Sequence, residues 1–175
     1  MFAKATLLSA VCLFATTSEG KDTVSYQIEV QVLAAQPALV VKGKVRVEKA
    51  GDAIGGNIGA VATHLGAAKL KPAGAPFTRT YSFENGVLEF ESGFPVAAGA
   101  KGKGDVIATE LPNGMVATTI HVGDQATSEK AYEAIHAWMK ANGKSPAGAP
   151  WEVYLTDPGE TPASQARMQV FFPVQ

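Results

Sequence analysis

The most chemically suggestive stretch of this chain is a lone carboxylate in an apolar run, Trp151-Glu152-Val153-Tyr154-Leu155. It follows Pro146-Ala147-Gly148-Ala149-Pro150 and leads into Thr156-Asp157-Pro158-Gly159-Glu160, so the pattern is loop, short strand, turn. Strand alternation places Trp151, Val153 and Leu155 on one face and Glu152 with Tyr154 on the other. Two readings of Glu152 follow. On a solvated face it is an ordinary surface acid, since glutamate is almost never buried unpaired. In a cleft, an acid beside an aromatic plane suits a cationic or polarised organic ligand.

Other reactive residue types are sparse. The three histidines, His64, His121 and His136, have no metal-ligand spacing, and each reads as a solvated or locally hydrogen-bonded side chain. No metal site is expected. Nucleophile-elbow, Cys/His, His-Glu-x-x-His and phosphate-loop patterns are all missing, and nothing calls for a cofactor.

The elements that would position Glu152 come in two similar sets. Pro72-Ala73-Gly74-Ala75-Pro76 precedes Phe77-Thr78-Arg79-Thr80-Tyr81, and the same pentapeptide precedes Trp151 to Leu155, 74 residues later. Phe94-Pro95-Val96 returns as Phe172-Pro173-Val174, 78 residues later. The four extra residues fall in a hairpin loop, where the first set has Asn85-Gly86. The pattern is a two-fold repeat of one supersecondary unit, over about residues 27–96 and 105–174.

In the first unit, strands are expected over Tyr26–Leu33, with Ile28, Val30 and Val32 facing inward, and over Ala38–Glu48. A helix capped by Asp52 carries Ile54, Ile58, Val61 and Leu65 at helical spacing. Its glycines 55, 56 and 59 read as a smooth surface for close packing. Residues 97–104 read as a flexible, solvated link. In the second unit, a hairpin around Pro112-Asn113-Gly114 precedes a helix capped by Thr127, with Ala131, Ile135, Trp138 and Met139 inward. Asn142-Gly143 is its stop.

Residues 1–20 read as a cleaved secretory leader. Lys4 supplies the positive region, an apolar run follows, and Ser18 and Gly20 are the small residues before a cut. That run is too short to span a bilayer, and Val11 before Cys12 makes a poor lipidation site. Residues 21–175 are then one domain, periplasmic or secreted, with no stable membrane insertion after cleavage. Cys12 is the single cysteine and leaves with the leader, so the mature chain has no disulfide or thiol chemistry. A formal charge of −1 gives no basic surface for nucleic acid. Oligomeric state is not legible.

The run Pro150 to Pro158, ending in Phe172-Pro173-Val174, resembles the GyrI-like small-molecule-binding family, which includes effector-binding domains of AraC- and MerR-type regulators and is related in fold to SOUL haem-binding proteins. The resemblance implies an α+β fold: a tandem pseudo-two-fold repeat of strand–helix–strand–strand units, a curved antiparallel sheet and two helices on one side. It implies a central cleft in which Glu152 faces a lipophilic, often cationic ligand. Tyr154 is then its nearest partner, Phe77 and Tyr81 are further candidates, and Trp151 divides between cleft and core. Tyr132 and Trp138 stand open between lining and packing. A leader in place of a helix-turn-helix argues against transcriptional regulation. His121-Val122-Gly123 is followed by Asp124-Gln125 where the family has an aromatic or proline, which alters the pocket rim.

Two functions of different class follow from the resemblance. The first is an exported binding module for a small hydrophobic or cationic molecule. The second is a hydrolase of electrophilic compounds, with Glu152 directing water. Haem binding, through His64 or His121, is the weaker third.

Overall fold

The computed structural model describes residues 25–157 and 160–175. The expected leader and the Pro158-Gly159 turn lie outside the described residues. One antiparallel sheet of eight strands carries two helices. The strands are β1 Glu29–Leu33, β2 Gln36–Arg46, β3 Phe77–Glu84, β4 Val87–Pro95, β5 Ile107–Leu111, β6 Gly114–Val122, β7 Trp151–Tyr154 and β8 Arg167–Pro173. The helices are α1 Ala50–Ala67 and α2 Glu129–Ala141.

The sheet order is β1-β6-β8-β7-β3-β4-β2-β5. It reads the same from either edge once β1, β2, β3 and β4 are exchanged for β5, β6, β7 and β8. The centre is the short β3–β7 pairing, where Thr78 lies opposite Glu152 and Phe77 opposite Val153. The two Pro-Ala-Gly-Ala-Pro segments do the same work on either side. Ala73 N–H donates to Pro95 C=O at 2.8 Å and Ala147 N–H to Pro173 C=O at 2.9 Å. Each pentapeptide's last proline then accepts from the opposite strand, Pro76 from Tyr154 N–H and Pro150 from Thr80 N–H.

Side-chain alternation divides the sheet into two packed faces. On one, α1 covers Leu39, Val61, Leu65, Val96 and Val106, while α2 covers Ala117, Ala131, Ile135, Met139, Val170 and Phe172. On the other, Leu33 and Val116 from one margin meet Val40 and Leu111 from the other, around Phe77 and Trp151. Residues from opposite margins touch only if the sheet curls towards that face, so the sheet is a half-barrel with both helices on its convex side. Burial of these large apolar groups stabilises the fold by about 1.5–3 kcal/mol each before entropy is counted.

Several local expectations change. Pro112-Asn113-Gly114 does not close a hairpin: β5 pairs with β2 and β6 with β1 and β8. β1 is an edge strand whose Val30 and Val32 are exposed rather than inward-facing. The helix caps also move: Lys49 precedes α1 with Asp52 inside its first turn, and Ser128 precedes α2. Residues 97–104 are not a free link, because Ala100 packs on the α1 core and Lys101 C=O accepts from His64 Nε2 at 2.9 Å. The Asn85-Gly86 turn is as expected, with both residues at positive φ.

Candidate functional site

On the convex face, between α1 and the segments around Gln125 and after β7, the structure leaves an open cleft of about 940 Å³. Gly51, Ile54, Gly55, Ile58 and Gly59 of α1 form one wall, with Pro76 and Phe94 at its base. Tyr154, Leu155 and Met168, with the loop that follows β7, form the other. A methyl group added at any of the three glycines would meet no other atom within 4 Å. The expectation that glycines 55, 56 and 59 serve close packing is corrected: among the described residues nothing packs against them, and Gly55 and Gly59 border the cavity.

Glu152 does not itself line this space. It sits one layer below, partly buried, on the same strand face as Tyr154. The Tyr132 hydroxyl of α2 donates to Glu152 Oε1 at 3.0 Å. Gln125 Nε2 donates to the Tyr154 hydroxyl at 3.5 Å, and Gln125 and Tyr154 both line the cleft. Burial pushes the Glu152 carboxyl above the usual carboxylate range, opposed by the Tyr132 hydrogen bond, the neighbouring His121 and donation from Gln125 and Tyr154. Burial, then the Glu152 charge, raises the phenols of Tyr132 and Tyr154 beyond any physiological titration, so both stay protonated donors. Among the described residues no lysine or arginine pairs with Glu152.

A second layer holds the cleft's rim. His121 is buried, its Nε2–H donates to Asp124 C=O at 3.0 Å, and Nδ1 shares a hydrogen bond with the Tyr26 hydroxyl at 2.8 Å. A carbonyl can only accept, so Nε2 carries a proton. Asp124 in turn caps the 3-10 turn Gln125–Thr127, accepting from Ala126 N–H on Oδ1 and from the Thr127 hydroxyl on its carbonyl. The turn's backbone is thereby pinned to β6, and Gln125 projects from it.

The structure brings together Glu152 and Tyr154 from the expected set and leaves Phe77, Tyr81 and Trp151 on the other face. Phe77 and Trp151 are buried in the concave core, where Trp151 stacks on Phe171 with centroids 5.2 Å apart. Phe77 stands in β3 as Trp151 stands in β7, and so shares its face. Tyr81 lies against the Arg79 guanidinium, beside the buried Arg79–Glu91 ion pair. A break in register between Thr80 and Ser82 sets its position. Residues that sequence reasoning missed are Gln125 and the glycine wall; Tyr132, left open, touches the carboxylate. Its signal was spacing: Tyr132 lies one helical turn before His136 and three residues before the buried Ile135. Neither haem-ligand candidate offers a free imidazole to the cleft. Both nitrogens of His121 are engaged, and His64 is tied to Lys101.

A model of the GyrI-like small molecule binding domain matches residues 26–175. No curated protein matches the chain significantly. Among solved structures, the EcmrR C-terminal domain superposes with a TM-score of 0.68 at 22% identity, covering 86% of this chain and 98% of that one. EcmrR in a DNA complex gives 0.75 at 18% identity over 86% of this chain, which spans only 57% of that protein. A hydrolase from Listeria innocua gives 0.61 at 15% identity, covering 85% and 92%. SAV2435 bound to tetraphenylphosphonium gives 0.59 at 14% identity, covering 86% and 94%. At these identities the likeness is one of fold.

Proposed function

The chain belongs to the GyrI-like small-molecule-binding family, and from that premise we propose that it is an exported binder of lipophilic cations. The cleft takes the apolar body of the ligand and Glu152 takes its charge. One observation carries this reading: a carboxylate beside a largely apolar cleft, hydrogen-bonded by Tyr132 and paired with no lysine or arginine among the described residues. Such a group lacks a lysine or arginine counter-ion, and a cation arriving from the cleft supplies one. The tetraphenylphosphonium bound by SAV2435, a fold neighbour, is a ligand of this chemical class. Export rests on the leader pattern of residues 1–20.

Calorimetry with an aryl cation and a neutral aryl compound of similar size tests the site. Glu152→Gln keeps shape and removes charge, and should cost roughly 1.5–3 kcal/mol of affinity for the cation and much less for the neutral compound. Equal losses would leave Glu152 a packing role only. Turnover of an electrophilic ester beyond one equivalent would instead make the protein a hydrolase, with Glu152 as the base.

A further inference from the structure

The Gln125 side chain lines the open cleft and neighbours Glu152. It donates to the Tyr154 hydroxyl at 3.5 Å, and both side chains line the cleft as neighbours of the carboxylate, so they stand where the cavity adjoins the acid. The two groups differ in freedom. Tyr154 is fixed in β7, hydrogen-bonded on both sides of its backbone. Gln125 is exposed and lies on a three-residue 3-10 turn. His121, Thr127 and Ala126 all bond to Asp124 rather than to Gln125. The turn's backbone is anchored, and among the described residues the Gln125 amide has no partner outside the site. Rotation about its side-chain bonds uncovers Glu152 at the cost of about one ordinary hydrogen bond.

Resting on the binding reading above, we propose that Gln125 determines which cations this protein accepts. In the empty protein its amide N–H occupies the ligand's polar subsite, and a ligand reaches Glu152 only by displacing it. Displacement strips the Tyr154 hydroxyl and Glu152 of a donor. A protonated amine restores that donor, whereas a quaternary cation has no N–H to give and leaves both acceptors short. Among lipophilic cations the preferred class is thus an aryl or polycyclic body bearing a protonated primary, secondary or tertiary amine, over a quaternary cation of the same body.

The probes are naphthylmethylammonium and its N,N,N-trimethyl analogue, titrated calorimetrically into the mature chain. The wild type should prefer the N–H form about fivefold, the worth of one hydrogen bond. Gln125→Ala should tighten both probes by about the same factor, because nothing is left to displace. In a Glu152→Gln background that gain should shrink. Equal affinity for the two probes overturns the selection, and weaker or unchanged binding in Gln125→Ala overturns the displacement. If no variant binds either probe, the cation reading fails separately. The gate is then decided on the empty protein, by carbon NMR titration of the Glu152 carboxyl, which Tyr132, Tyr154 and His121 also face. Removing the Gln125 amide should raise its midpoint; an unmoved midpoint sinks the gate.

Discussion

At the centre of the sheet Thr78 of the first half lies directly opposite Glu152 of the second, and the same contrast runs outward from that pair. Val61 and Leu65 of α1 are matched 74 residues later by Ile135 and Met139 of α2, all four buried. The positions around Glu152 are not matched in kind. Ile58 stands where Tyr132 does, and Thr80 where Tyr154 does. Gly43, paired with Phe90, stands where His121 pairs with Met168. A side chain at Gly43 would run into the Phe90 ring, so the first half fills with one aromatic the place where the second keeps an anchored imidazole. Helix α1 has five glycines and α2 none. One half supplies space and the other supplies polarity, and a single carboxylate can sit asymmetrically on a nearly symmetric scaffold.

The sharpest way to break this comparison is to cut the scaffold on both sides. Phe77→Ala and Trp151→Ala should each cost about 3–5 kcal/mol in denaturant unfolding; a tolerated loss on one side would show that the halves do not carry equivalent cores. Next in size is Tyr132→Phe, which removes a donor to a buried acid and should cost about 1–3 kcal/mol of stability at neutral pH. Ile58→Val, at the matching position of α1, should cost about 0.5–1.5 kcal/mol. Tyr132→Phe should also move the Glu152 titration further up, visible by NMR.

Titration sharpens the contrast further. Burial raises the Glu152 pKa in the folded chain, so the native state holds its proton more tightly than the unfolded one. Stability should therefore fall as pH rises from the ordinary carboxylate pKa to the raised one and level off above it. Cation affinity runs the opposite way, weakening about tenfold per pH unit below the raised pKa. Glu152→Gln should flatten both profiles; a slope that survives in it would place the titration elsewhere. The smallest effect belongs to the glycine wall. Gly55→Ala points into open space and should stabilise the fold by about 0.5–1 kcal/mol through helix propensity, read as a rise in Tm.

Legibility in the sequence followed how local the cause was. The Asn85-Gly86 turn, the inner stripes of both helices and the shared face of Glu152 and Tyr154 depend on spacing along the chain, and spacing is visible. The partners of β1 and β5 depend on strands far away, which is why the residues around Pro112 were taken for a hairpin. Phe77 and Tyr81 follow from the family resemblance and their place on the strand symmetric to β7, although Phe77 packs with Trp151 in the concave core and Tyr81 lies against Arg79. Gln125 could not be found by type at all. A glutamine in a polar loop carries no pattern, and only the tie from His121 through Asp124 gives it a position.

The pairing of β1 with β6 and of β5 with β2 has a bearing on how the chain reaches this structure. Leu33 must find Gly114, and Gln36 must find Leu111, so each half borrows its outermost strand from the other. Neither half can complete its part of the sheet while its counterpart is unmade. Loop closure over such separations is paid before the contacts return it, which slows the search and removes stable half-folded stops. A ribosome must therefore release most of the chain before the first strand has anywhere to go, and the cleft beside α1 forms late, as a product of the whole chain closing on itself.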